Sequence, residues 1–127
     1  MRIAIGIAIA GFLGAVARYE IGFLFPQHAN SAAFPWATLI INLTGSLLLG
    51  LLTGRLSRSS TTPAWFGEVV GTGFIGSFTT FSAFNGQLWQ LFDHRAYGYA
   101  IVYVLASAAG GWMLAAAGLG WGRGRRS

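Results

Sequence analysis

Apolar residues run along this 127-residue chain in four long stretches divided by short polar punctuation. The pattern is neither the alternation of a strand nor the narrow stripe of a soluble helix. A hydrocarbon core about 30 Å thick takes roughly 20 apolar residues of helix to cross. Residues 3–25, 36–56, 64–92 and 97–121 each meet that requirement. The joints fit as well. Pro26 to Pro35 is a polar turn carrying Gln27, His28, Asn30 and Ser31, Ser57 to Pro63 is a Ser/Thr cluster, and Asp93-His94-Arg95 makes a tight loop. The pattern predicts an all-α membrane protein, with four transmembrane helices forming a single transmembrane domain over residues 1–127. The first stretch also has the outline of a signal peptide, since Arg2 precedes an apolar run ending in Ala15-Val16-Ala17. Cleavage there would release a remainder that is itself membrane-embedded, so the stretch reads as a span.

Composition narrows the class. Hydrophobic residues make up 54 % of the chain, with 19 glycines in addition, and charged residues only 9 %. A soluble domain carries about 25 % charge, which argues against a single-domain soluble enzyme. The absence of cysteine removes disulfides, thiolate metal sites and cysteine nucleophiles. His28, His94 and the three scattered acids form no catalytic spacing. The net charge of +5 comes from arginines set between and after the apolar runs, which points to membrane topology and not to nucleic acid. With four spans, Arg2, Arg55, Arg58, Arg123, Arg125 and Arg126 share one face, against Arg18 and Arg95 on the other. Both termini of a multi-pass protein of the cell membrane are therefore expected in the cytoplasm.

Polar residues inside apolar spans carry the candidate chemistry, because they are costly there. Thr38, Asn42 and Ser46 recur every four residues and share one face of the second helix. Their alternatives are interhelical hydrogen bonding or a pathway. The third span reads Gly71-Thr72-Gly73-Phe74-Ile75-Gly76-Ser77-Phe78-Thr79-Thr80-Phe81-Ser82-Ala83-Phe84, poor helix propagation at its centre. Glycine-interrupted spans mark unwound backbone whose carbonyls can hold a cation, so the third helix is expected to break near mid-membrane. Phe78, Phe81 and Phe84 repeat every three residues beside Thr80 and Ser82, suggesting a stripe of rings along the hydroxyls. The edge of a phenyl ring is electropositive. Ring edges, the Asn42 amide and hydroxyl donors could replace the water around a small monovalent anion, whereas a multivalent anion would demand arginine clusters. Four short helices enclose a pathway poorly, so an oligomer is expected. Ser46, Gly50 and Gly54, with Gly110 and Gly111, offer close helix approaches.

Three runs resemble the fluoride channel family known as Fluc or CrcB: Gly11-Phe12-Leu13-Gly14-Ala15-Val16-Ala17-Arg18-Tyr19, Thr38-Leu39-Ile40-Ile41-Asn42-Leu43-Thr44-Gly45-Ser46 and Gly73 through Ser82. The resemblance implies a passive, fluoride-selective channel exporting fluoride from the cytoplasm, built in membrane lipid as an antiparallel dimer with two pores. It implies that Asn42 lines the pore and donates to fluoride, with Thr38 on the same helix face. Phe81 and Phe84 become the paired pore phenylalanines, and Ser82 part of the polar track beside them. The main-chain carbonyls of Gly76 and Thr79 would hold a structural sodium ion at the dimer interface, where the third helices break. Arg18 would sit at a vestibule. Tyr103 is placed in the pathway from its helix position, on a face shared with Tyr99 and Ser107.

Two positions depart from the family pattern: Ala83 stands where Thr is usual, and Gln87 where Glu is common. The uneven arginines are a third departure. They suggest a subunit that inserts in one orientation and pairs with an oppositely oriented paralogous subunit, as against a dimer with itself. Two other readings stay open. A small multidrug-resistance-type proton-coupled exporter of small cations would need a membrane carboxylate, for which Glu20 is the candidate. A non-transporting structural subunit would explain the glycines but not the amide, hydroxyls and rings.

Overall fold

The computed structural model describes residues 1–25 and 34–124. The polar turn at Gln27, His28, Asn30 and Ser31 lies outside the described residues, as do Arg125 and Arg126. The regular elements described are helices: α1 (Arg2–Gly22), α2 (Trp36–Arg58), α3 (64–78), α4 (Phe81–Asp93) and α5 (Tyr97–Arg123). Three of them, α1, α2 and α5, are long and apolar enough to cross a membrane. The third span is divided. Thr79 and Thr80 take extended backbone angles between α3 and α4. At about 1.5 Å per residue neither half alone crosses a core about 30 Å thick.

Helix ends follow local chemistry. α1 stops at Gly22, earlier than its hydropathy does, and Phe23 and Leu24 bond back to Glu20 and Ile21 as a turn. α2 runs on to Arg58, which places Arg55 and Arg58 against the negative end of the helix dipole. Between α4 and α5, Arg95 adopts a left-handed φ of 58°, and the Ala96 N–H closes on the Leu91 carbonyl at 2.8 Å. That is a glycine-type helix stop made by an arginine. Wider, π-type turns occupy Glu68–Ile75 in α3 and Ala106–Gly110 in α5.

Glycine decides which helices touch. α1 lies along α3, where a Cβ on Gly14 would strike the Phe74 carbonyl and one on Gly73 would come within 2.9 Å of the Ala10 methyl. α2 and α5 interlock through Gly50 and Gly54 against Gly118 and Gly122. Such small-residue crossings replace the hydrophobic drive that lipid removes. The ridge foreseen on α2 is therefore real in part, yet its partners are Gly118 and Gly122. A Cβ on Gly110 would instead meet Leu43, and one on Gly111 would lie 3.5 Å from the Ser46 hydroxyl. We expect Gly118→Leu to cost about 1–3 kcal/mol through backbone collision, read as a lower thermal midpoint in detergent micelles. Gly120→Leu, at a position where an added Cβ meets nothing within 4 Å, should leave that midpoint unchanged.

Large apolar side chains cover the outside: Ile5, Ile9, Phe12 and Val16 on α1, and Trp112, Met113 and Trp121 on α5 are exposed. Lipid is the solvent that such a surface requires. Inside, Leu39, Leu91, Ala100 and the fully buried Tyr103 form a core joining α2, α4 and α5.

Candidate functional site

The break between α3 and α4 is closed by one side chain from α2. The Asn42 carboxamide pairs with the main chain of Thr80 in both directions. Its Nδ2 donates to the Thr80 carbonyl at 3.1 Å, and its Oδ1 accepts the Thr80 N–H at 2.9 Å. An extended residue within a membrane span must have both groups satisfied, since hydrocarbon offers no partner. Asn42 meets that demand as a neighbouring strand would. Thr79 and Thr80 explain why the chain breaks here. Thr79 turns its hydroxyl back to the Ile75 carbonyl at 3.0 Å, ending α3. The Thr80 hydroxyl accepts the Ala83 N–H at 3.1 Å, starting α4 as an N-cap.

In an unbroken helix the Thr80 N–H would bond the Gly76 carbonyl, and the Phe81 N–H the Ser77 carbonyl. The first is given to Asn42, which frees the Gly76 oxygen. The Ser77 oxygen instead accepts the Arg18 Nε–H at 3.1 Å, so a half-buried guanidinium from α1 sits at the carbonyl end of α3. A cation there opposes the negative end of the helix dipole.

Two cavities flank this joint, and Thr80 lines both. The first, about 470 Å³, is lined by Asn42, Ser46, Gly76, Thr79, Phe81, Phe84 and Ser107 among others. The second, about 400 Å³, is lined by Arg18, Thr38, Ile41, Ala83 and Gln87 among others. On α2 the first takes residues between Asn42 and Leu49 and the second residues between Ala37 and Ile41. The cavities therefore lie at successive depths of the bundle, with the Asn42–Thr80 joint between them. Among the described residues, no carboxylate or imidazole lines either one. Glu20, the candidate of the rival exporter reading, is exposed on the last turns of α1 and lines neither.

The phenylalanines divide into two groups where the sequence pattern suggested one stripe. Phe78 is buried on α3 and stacks on Phe74, with centroids 6.0 Å apart. Phe81 and Phe84 stack on each other across 6.0 Å in α4, and Phe84 reaches Tyr103 at 4.8 Å. Two extended residues reset the helical phase, so the three-residue spacing no longer aligns the rings. Tyr103 donates its hydroxyl hydrogen to Gln87 Oε1 at 3.0 Å. Ser82 is exposed, its hydroxyl 3.3 Å from that of Thr80.

Sequence reasoning singled out Asn42 but not its partner, and it gave Ser107 little weight. The Ser107 hydroxyl is buried without a hydrogen-bond partner among the described residues and lies on the first cavity. Its only signal was a serine one helical turn beyond Tyr103 in an otherwise apolar run. Gln87 is placed by structure alone, bridging α4 to Tyr103 on α5.

An all-helical bundle with three full spans, a broken fourth and a lipid-facing apolar surface defines a small multi-pass membrane protein. Residues 5–119 match the family model described as CrcB-like protein, Camphor Resistance (CrcB). The chain belongs to this family. It is 40 % identical over 114 residues to the fluoride-specific ion channel FluC 2 of Geobacillus kaustophilus, covering 90 % of this chain and 88 % of that protein. It is 43 % identical over 115 residues to a fluoride-specific ion channel FluC 1 of Bacillus cereus, covering 91 % and 82 %. A fluoride-specific ion channel FluC of Sphingopyxis alaskensis is 39 % identical over 113 residues, 89 % of each chain.

Proposed function

We propose that this chain forms a fluoride-selective passive channel that exports fluoride from the cytoplasm, with residues 1–127 acting as one transmembrane domain. The observation that carries the reading is the joint itself: a helix break held by Asn42 between two cavities lined with neutral donors, ring edges and one cation. An Asn amide has two N–H groups, and only one is given to Thr80, so the other serves the first cavity. Ser107, and on α4 the ring edges of Phe81 and Phe84, add weakly positive surface there. Thr38, Ser82 and Tyr103 complete the pathway, with Arg18 drawing anions towards the second cavity.

The same joint supports a second copy. Gly76, Phe81 and Ser82 are exposed at a break in the middle of a span. Broken backbone at membrane depth is tolerated only where protein or a water-filled cavity covers it. An antiparallel dimer would cover it, formed with itself or with an oppositely oriented paralogous subunit. The arginine bias favours the second, with both termini of this chain in the cytoplasm. The freed Gly76 carbonyl and the Thr79 carbonyl, which precedes the cap of α4, suit a monovalent cation. Contributed by two copies, they would hold a structural sodium ion that neutralises facing carbonyl dipoles and ties the breaks together.

Fluoride efflux from proteoliposomes, followed with an ion-selective electrode, tests the proposal. Fluoride is expected to leave while chloride is retained. No release from this chain, either alone or with an oppositely biased paralogue, would refute it. Proton-coupled uptake of an organic cation dependent on Glu20 would establish the rival exporter instead.

A further inference from the structure

We propose that the common C-terminal end of α2 and α5 binds the headgroup of an anionic phospholipid. The glycine crossing sets the two helices so close that a Cβ on Gly54 would lie 2.8 Å from the Arg123 nitrogen. One on Gly122 would lie 2.9 Å from the Arg55 nitrogen. Arg55 and Arg123, each one residue past a crossing glycine, therefore leave parallel helices at the same level on the two flanks of their shared end. One turn further, the Arg58 guanidinium lies against Gly124, whose φ of 81° turns the chain out of α5. All three arginines are exposed.

Among the described residues, charge at this end is only partly balanced from within. Each helix C-terminus carries about half a negative charge, so two ends offset about one of the three guanidiniums. Glu20 and Asp93 lie at the far ends of their helices, whereas Glu68 is exposed near this end, one residue after Gly67, where an added Cβ would meet Leu56. With the two dipoles it still leaves about one positive charge in surplus. Surplus positive charge at the end of two membrane-spanning helices meets the lipid surface. Trp121, 65 % exposed and within one turn of Arg123, has the amphipathic ring that settles at headgroup level. About three turns below Arg123 and on the same face of α5, the exposed Trp112 continues as apolar surface for an acyl chain. A phosphodiester accepts the planar fork of arginine in paired hydrogen bonds. An anionic lipid thus fits both the charge and the apolar flank, where a free phosphate fits only the charge.

The probe is phosphatidylglycerol added to the purified full chain in detergent micelles, with bound lipid counted by native mass spectrometry. Phosphatidylcholine and soluble glycerol phosphate are run in parallel. Phosphatidylglycerol alone should stay bound. The double variant Arg55→Gln/Arg123→Gln should weaken that binding by roughly thirtyfold, at about fivefold per arginine. Arg2→Gln/Arg95→Gln, with the same loss of net charge elsewhere, should bind as the parent does. Arg55→Lys/Arg123→Lys should stay within a few-fold of the parent, which separates lost charge from a damaged helix end. The proposal fails if phosphatidylcholine or glycerol phosphate binds equally. It also fails if both Gln pairs lose lipid alike, or if the Lys pair loses it completely.

Discussion

Asn42→Ala is expected to abolish fluoride efflux and to destabilise the protein by several kcal/mol. The alanine leaves the Thr80 N–H and carbonyl without the partners now at 2.9 and 3.1 Å. Each unsatisfied group costs about 1–3 kcal/mol when buried, and at this part-buried joint water from the flanking cavities offsets only part of that. Asn42→Asp separates holding the break from serving the anion. Its carboxylate still accepts the Thr80 N–H, but it has no donor for the Thr80 carbonyl or for an anion, and its charge repels the latter. Thermal midpoints should therefore fall in the order parent, Asp, Ala, while efflux is lost from both variants. Parent-level efflux from Asn42→Ala would show that the joint is not part of the pathway.

Phe84→Ile should reduce efflux by about tenfold or more while the protein stays folded. The ring stacks on Phe81, meets Tyr103 at 4.8 Å and lines the first cavity. Isoleucine keeps apolar bulk but has no electropositive edge, and one ring interaction of about 1.4 kcal/mol corresponds to a tenfold change. Apolar exchanges of this kind cost less than about 1.5 kcal/mol in stability when volume is nearly kept. Phe78→Ile is the contrast, because Phe78 packs on Phe74 and lines neither cavity. Equal flux losses from both variants would mean that the rings act through packing alone.

Much of the fold was legible because membrane spans are written in local composition. The glycines of the third span and the paired threonines marked its break, and Gly50 and Gly54 marked one side of a helix crossing. Registers between distant segments were not legible. That Asn42 meets Thr80, and that Gly118 and Gly122 are the counterparts of Gly50 and Gly54, depends on how helices slide against one another. Nothing within a single helix encodes that offset. The ring stripe failed for a related reason: a three-residue spacing holds only while the helix continues, and two extended residues end it between Phe78 and Phe81. Gln87 stood out in the sequence only as a departure from the family pattern and Ser107 only as sharing the Tyr103 face, since their contacts arise from neighbours on other helices.

The Asn42–Thr80 pairing spans 38 residues and runs from an earlier helix to a later one. Asn42 is therefore synthesised before Thr80. The unwound peptide groups arrive to find their docking amide already made. The order of synthesis thus puts the docking amide ahead of the irregular turn that it holds.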